Sequence, residues 1–307
     1  MQNKYLQVKF YQFCILLCLG VISCTKEEET ATEPKLILRF RFDSTQQRLD
    51  NTGQLSTLPD DHGAQSPVMN KMSAHYIELA SSNTTALGKG TIIYKAEETT
   101  LGGDTAIYFD KSVLAGNNEV FYAIALKDVA PGEYEWLRLS LAYQHYTIQY
   151  HVDENIGDTL HIDQDFSGTL ASFIGYNTYI TSYQINSQVI SINENRSQGY
   201  WGFESNISYE DFSKVDTIFG QAPAITVVNP LFATSPVPAG SCVVTGAFAG
   251  SKLTITGKET ENIIIEVAVS TNKSFEWQEV VKNGKWDPAK GETVVDMGVR
   301  GIIPTVW

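Results

Sequence analysis

Cysteine is scarce in this chain. There are four in 307 residues, and Cys14 and Cys18 sit in one apolar run near the start. That excludes a disulfide scaffold. Long apolar runs are missing as well. The longest covers residues 13–22, half of the ~20 residues a membrane-spanning helix needs. Positive charge is short, with 22 Lys plus Arg against 35 Asp plus Glu and a net charge of −13. Such a surface excludes a basic nucleic-acid-binding face. Helical periodicity is also missing; the apolar stretches are short and rich in Ile, Val, Thr and Tyr. What the chain has is core material: 43% hydrophobic residues, with 14 Phe, 15 Tyr and 5 Trp. Disorder is thereby excluded.

The N-terminus reads as an address. Lys4 and Lys9 precede the apolar run, which ends at Val21-Ile22-Ser23-Cys24. A positive segment, a short apolar segment and a small residue before a break describe a secretory signal over residues 1–23. The Val-Ile-Ser-Cys ending resembles a bacterial lipobox, which implies that Cys24 is acylated and becomes the new N-terminus. Removing Lys4 and Lys9 takes the charge from −13 to −15. Cys242 is then the one thiol left, and it reads as strand core. Residues 24–34, Lys26-Glu27-Glu28-Glu29 among them, form an acidic tether. Lys followed by acids just after the Cys resembles the surface-export signal of Bacteroidota lipoproteins. The implied location is the outer membrane, lipid-anchored and facing outward, with the periplasmic face as the alternative.

Residues 35–307 read as all-β. Leu36, Leu38 and Phe40 alternate with Ile37, Arg39 and Arg41, as a half-buried strand should. Similar segments recur at 73–80, 91–94, 105–109, 121–126, 134–146, 169–183, 189–192, 242–248, 252–256 and 263–269. Gly102-Gly103, Asn117-Asn118, Ile156-Gly157 and Asn283-Gly284 punctuate them. Many short strands between such turns predict an antiparallel β-sandwich with long connections. One elaborated domain is expected, with a split near 205 as the alternative.

The order of segments carries a resemblance. Ala74-His75-Tyr76-Ile77, then Val129-Ala130-Pro131-Gly132-Glu133-Tyr134, then Gly199-Tyr200-Trp201-Gly202 is similar to the MbnP-like family of copper-binding periplasmic proteins. The resemblance spans roughly residues 36–205 and implies a β-sandwich and copper. The whole chain also resembles uncharacterised Bacteroidota surface lipoproteins.

Two segments carry candidate chemistry. His145, Thr147, Gln149, His151 and Asp153 share one face of a strand, and His161, Asp163 and Asp165 share a face of the next. A turn centred on Ile156 sets His151 opposite His161 and Gln149 opposite Asp163. His151, His161 and Asp163 are then a ligand set for Zn²⁺ or Cu²⁺. His145 lies too far along the strand to join. The alternative is a solvated polar hairpin, and a one-residue slip destroys the geometry. The second segment, Glu279 to Asp287, offers Asn283 and Asp287 at EF-hand-like positions 5 and 9, with Gly284 at 6. Val281 and Lys290 fail positions 3 and 12, so a tight Asn-Gly turn over Trp286 is favoured.

Catalytic signatures are missing: no Gly-x-Ser-x-Gly elbow, no His-Glu-x-x-His helix and no phosphate loop. Tyr143, Tyr176, Tyr179, Tyr183, Tyr200 and Trp201 are candidates for a glycan platform, although core packing is the commoner use of such rings. The expectation is a lipid-anchored envelope binding protein without catalytic activity. Its partners are the membrane, through its lipid, and a glycan or protein at the surface. A copper- or other metal-binding protein comes second and a cell-surface hydrolase third.

Overall fold

The computed structural model describes residues 33–223, 242–250 and 252–307. The signal segment, Cys24 and most of the 24–34 tether lie outside the described residues, as does much of the Pro-rich stretch before Cys242. Residues 33–307 group as one compact unit.

The fold is all-β and sandwich-like. Its centre is a seven-stranded sheet. The path runs Phe212–Gln221, Tyr200–Tyr209, Leu160–Phe173, Trp136–Ile156, Val68–Ala80 and Thr91–Lys95, with Val243–Ala247 added beside the start of Trp136–Ile156. Trp136–Ile156 is 21 residues long and organises the rest. Leu137, Leu139 and Leu141 face the main core with Ile77 and Leu79, while further on Tyr146, Ile148, Tyr150 and Val152 do so. The inward positions thus change from odd to even. The change falls where Ser73 and Ala74 on the neighbouring strand slip against Tyr143 and Leu141. A bulge of this kind inserts one residue and flips the pattern beyond it.

A four-stranded sheet covers the core face: Ile302–Val306, Ile263–Ser270, Lys35–Asp43 and Val120–Ala125. It contributes Leu36, Leu38, Phe40, Ile265, Val267 and Val269. Here Lys35–Asp43 runs parallel to Ile263–Ser270, in register from Leu36 opposite Ile263 to Asp43 opposite Ser270. Most other pairs are antiparallel. Long separation in sequence makes this parallel pairing affordable in topology, because the intervening chain supplies the crossover.

A second four-stranded sheet covers part of the opposite face: Val189–Ser197, Asn177–Gln184, Ala106–Tyr108 and Glu98–Thr99. The space between holds a smaller core of Tyr143, Ala171, Phe173, Ile180, Tyr183, Ile185 and Tyr200. The glycan-platform expectation fails for four of the six rings: Tyr143, Tyr183 and Tyr200 are buried there and Trp201 is buried in the main core. Tyr176 and Tyr179 are half-buried, Tyr176 against His75 and Tyr179 against Tyr108. An aromatic at alternate positions of a strand covered on both faces has no route to solvent.

Segment 169–183 is two strands, broken at 174–176, where the Ile174 and Gly175 N–H groups both donate to Ala142 O at 3.0 Å. Tyr200–Tyr209 passes through 205 as one strand.

Candidate functional site

The strands Trp136–Ile156 and Leu160–Phe173 continue past the end of Val68–Ala80, whose last partner is Thr147. Beyond that point, the freed edge of Trp136–Ile156 is taken by loops. Gln65 brackets the Gln149 backbone with bonds of 2.7 and 2.8 Å, and the His151 N–H donates to Trp286 O at 2.8 Å. The two segments singled out from sequence, the His-bearing hairpin and the Asn-Gly loop, therefore meet here.

The hairpin turn is Gly157-Asp158-Thr159, with Ile156 opposite Leu160 and Gly157 at φ +66°. Glycine holds that left-handed position at little cost, so the turn falls later than a centre on Ile156. The shift is even, so the polar residues keep one face, but every partner changes. His151 lies opposite Asp165, Asp153 opposite Asp163 and Asn155 opposite His161. His151 does not face His161. They stand four residues apart along the strand direction, about 13 Å. Asp163 is near one imidazole only: its Oδ1 is 3.3 Å from His151 Nε2, while His161 Nε2 is 3.6 Å from Asp153. Among the described residues, no three His, Cys, Asp or Glu side chains converge as a metal-binding group.

The hairpin face is instead an ion-pair network. His151 Nδ1 is 2.7 Å from Asp165, Lys285 Nζ is 3.0 Å from Asp165, and Lys290 Nζ is 3.2 Å from Asp153. Burial works to raise the Asp165 carboxyl. Hydrogen bonds from Lys285 and His151 and their charges outweigh it and hold that carboxyl below the usual range. His151 is itself buried, whereas His161 is exposed.

The loop closes on itself. Glu292 accepts the N–H groups of Val280, Val281 and Asp287 at 3.0, 3.1 and 2.7 Å. Asn283 and Asp287 are brought together: Asn283 Nδ2 donates to Asp287 Oδ2 at 2.6 Å, and Asn283 Oδ1 accepts Lys285 N–H at 2.8 Å. Their oxygens thus serve the loop's own donors. Trp286 is buried beneath, 5.1 Å from the rings of Phe203 and Phe275.

On the other side of the same sheet end lies a groove of about 270 Å³. Its floor is Tyr150, Val152, Phe203 and Ile207; Pro288 and Ala289 form one wall, and Ile218, Asp216 and Lys214 of the outermost strand the other. Tyr150 is 4% exposed, and its hydroxyl is buried beside Ser205 and the Asn206 amide. Burial pushes this phenol up to about 12, so it stays a neutral donor. Sequence reasoning missed the groove. Tyr150 and Val152 were legible as an inward face, but the Tyr200–Tyr209 and Phe212–Gln221 hairpin that completes the walls has no strong alternation of its own.

Several other polar groups, buried or half-buried, are structural in their contacts. Glu204 accepts the N–H groups of Asn186, Ser187 and Gln188. His145 Nε2 bonds to Ile185 O at 2.6 Å, His75 Nε2 to Glu98 at 3.0 Å and His62 Nδ1 to Glu276 at 2.9 Å. The Cys242 thiol is pushed up to about 12 by burial and the nearby Asp296 charge. A thiol so far from ionising is a poor nucleophile.

Set against family models, curated proteins and solved structures, the chain matches none.

Proposed function

We propose that this chain is a lipid-anchored cell-envelope protein that binds a ligand and carries out no chemistry on it. The groove between the far end of the central sheet and Pro288–Ala289 carries this reading. It is concave and largely apolar, with Tyr150, Val152, Phe203, Ile207 and Ile218 in its lining and Ser205, Lys214 and Asp216 as polar groups among them. Such a mixture of apolar lining and a few polar groups is what binding sites offer. The buried carboxylates Glu204 and Glu292 are engaged in holding loop N–H groups. The Val21–Cys24 segment supplies the anchor, and Lys26–Glu29 favours the outward face of the outer membrane.

The anchor is tested by Cys24→Ala. The variant is expected to lose its acyl mass and leave the membrane fraction, or to persist as an unprocessed precursor. Unchanged mass and fractionation would refute the reading.

A second reading, a copper or zinc site, rests on His151. Asp165 pins its Nδ1 and leaves Nε2 beside Asp163, the carboxylate–histidine arrangement seen around metals. One imidazole and one carboxylate are half a ligand shell, so this reading ranks below the first.

A further inference from the structure

The groove has an open side. Its outer wall, Phe212–Gln221, is the last strand of the central sheet, and among the described residues only Tyr200–Tyr209 pairs with it. It is ten residues long and regular, with every position from Tyr209 opposite Phe212 to Tyr200 opposite Gln221 in register. Long regular edges are uncommon, because their unpaired N–H and C=O groups invite another strand.

The phase of this edge follows from its turn. Glu210 and Asp211 form a two-residue connection, with Glu210 at φ +51°. In such hairpins the closing pair, Tyr209 and Phe212, exchanges its hydrogen bonds. Alternation then turns the N–H and C=O groups of Ser213, Val215, Thr217 and Phe219 outward. Thr217 N–H is met by its neighbour's carboxylate, Asp216 Oδ1, at 2.9 Å, as expected for an N–H without a strand partner. Val215, Ile218 and Phe219 are 48, 40 and 48% exposed, so apolar surface lies along this edge on both faces of the sheet.

Charge decides what fits. The groove is lined by Glu154 and Asp216 against Lys214, and the turn of its outer wall adds Glu210 and Asp211; Asp153, Asp163 and Asp165 lie on the opposite face of the sheet, paired with Lys290, His151 and Lys285. A second copy would set carboxylates against carboxylates. We propose that Phe212–Gln221 accepts an extended, basic peptide segment as an added strand, which places a large apolar side chain in the groove beside Tyr150 and Ile218. Main-chain bonds to the edge supply affinity, and the groove supplies selectivity at alternate positions. Asp216 is held by Lys214 at 2.9 Å and by Thr217 N–H; strand addition hands Thr217 N–H to the incoming backbone, and the incoming Lys or Arg groups meet the net negative charge left by Glu154, Glu210 and Asp211. The inference rests on the binding-protein reading and gives it a ligand class.

The probe is a fluorescein-labelled peptide, acetyl-Lys-Val-Lys-Phe-Lys-Val-Lys-amide, titrated by polarisation against the purified full chain in detergent. Saturable binding is expected that weakens as salt is raised. The Glu-for-Lys peptide is expected to bind at least ten-fold more weakly. Val215→Pro removes an outward N–H at a position where an edge strand tolerates proline, and a ten-fold loss is expected. Because that variant could misfold, N-methylation of alternate peptide amides repeats the test without touching the protein, with the same loss expected. Ile218→Ser is expected to erase the preference of the wild type for Phe over Ala at the probe's centre.

Failure of the basic probe to bind overturns the proposal, as does equal binding of the acidic or the N-methylated peptide. Light scattering that shows a dimer dissolved by Val215→Pro would assign the edge to a second copy instead. Binding that is weakened by Ile218→Ser yet indifferent to N-methylation would overturn strand addition and leave the binding-protein reading intact. Cys24-dependent fractionation reports on the anchor independently of all these arms.

Discussion

Glu204 offers the sharpest test of how the smaller second core is held. It sits on Tyr200–Tyr209 and is 2% exposed, facing the turn that joins Asn177–Gln184 to Val189–Ser197. Its carboxylate accepts Asn186 N–H at 2.9 Å, Ser187 N–H at 3.0 Å, Ser187 Oγ–H at 2.6 Å and Gln188 N–H at 3.0 Å. Burial works to raise this carboxyl, but the bonds from Ser187, Gln188 and Asn186 win and lower it. Hydrogen bonds to a charged group contribute about 1.5–3 kcal/mol net. Four of them on one carboxylate do not add, because residues 186–188 are exposed and water replaces the lost acceptor. The loss in Glu204→Ala is therefore expected near 2–3 kcal/mol, with about half that for Glu204→Gln, which keeps one acceptor oxygen. In a domain of this size that is roughly 4–8 °C in Tm.

The pH dependence fixes the cause. A carboxyl whose folded pKa is depressed stabilises the fold fully above its unfolded value, about 4.3. That contribution disappears as pH falls through the lower folded value. Urea unfolding at pH 7 should show the full gap between wild type and Glu204→Ala. The gap should narrow below pH 4 and continue to close with further acid. A gap under 0.5 kcal/mol at pH 7, or one that stays constant to pH 3, would refute the argument that the charge on Glu204 holds this turn.

The remaining predictions concern the thiol and the hairpin. Cys242, raised to about 12, is expected to resist iodoacetamide at pH 8 in the native chain and to react fully in urea; rapid native alkylation would show that the site opens. Zinc or copper titrated calorimetrically into the full chain tests the second reading. If His151 Nε2 and Asp163 do hold an ion, His151→Ala should lose most of the affinity and His145→Ala, bound to Ile185 O, none. Equal losses, or no heat from the wild type, would return this face to an ion-pair network.

Much of the fold was legible because its rule is local. Strand faces alternate with period two whatever the partner strand is, so Leu36, Leu38 and Phe40 announce their burial without knowledge of what covers them. Tyr146, Ile148, Tyr150 and Val152 do the same. The parallel pairing of Lys35–Asp43 with Ile263–Ser270 was not legible, since nothing in either segment names a partner more than two hundred residues away. The hairpin of Tyr200–Tyr209 and Phe212–Gln221 escaped for a different reason. Its outer strand carries Lys214, Val215, Asp216, Ile218 and Phe219 without clean alternation, because an edge strand has one loosely covered face and one open side.

The candidate site shows where local rules stop. The face shared by His151, His161 and Asp163 was correct from parity alone. Their mutual distances depend on the turn, and a turn begun at Gly157 rather than centred on Ile156 moves every residue's partner by four positions. That keeps all the polar groups on one face and yet separates the two imidazoles by about 13 Å. It also sets His151 between Asp163 and Asp165, and carries Asp165 to Lys285 of a loop more than a hundred residues on. The Asn-Gly loop was read as a tight turn from its own residues, but its docking on the hairpin edge was not. That docking follows from Val68–Ala80 ending early: an unpaired edge beyond Thr147 needs backbone partners, and Gln65 and Trp286 O supply them. The same reasoning, applied to the opposite border of the sheet, leaves the outward N–H groups of Phe212–Gln221 as the edge on which a further strand can be accepted.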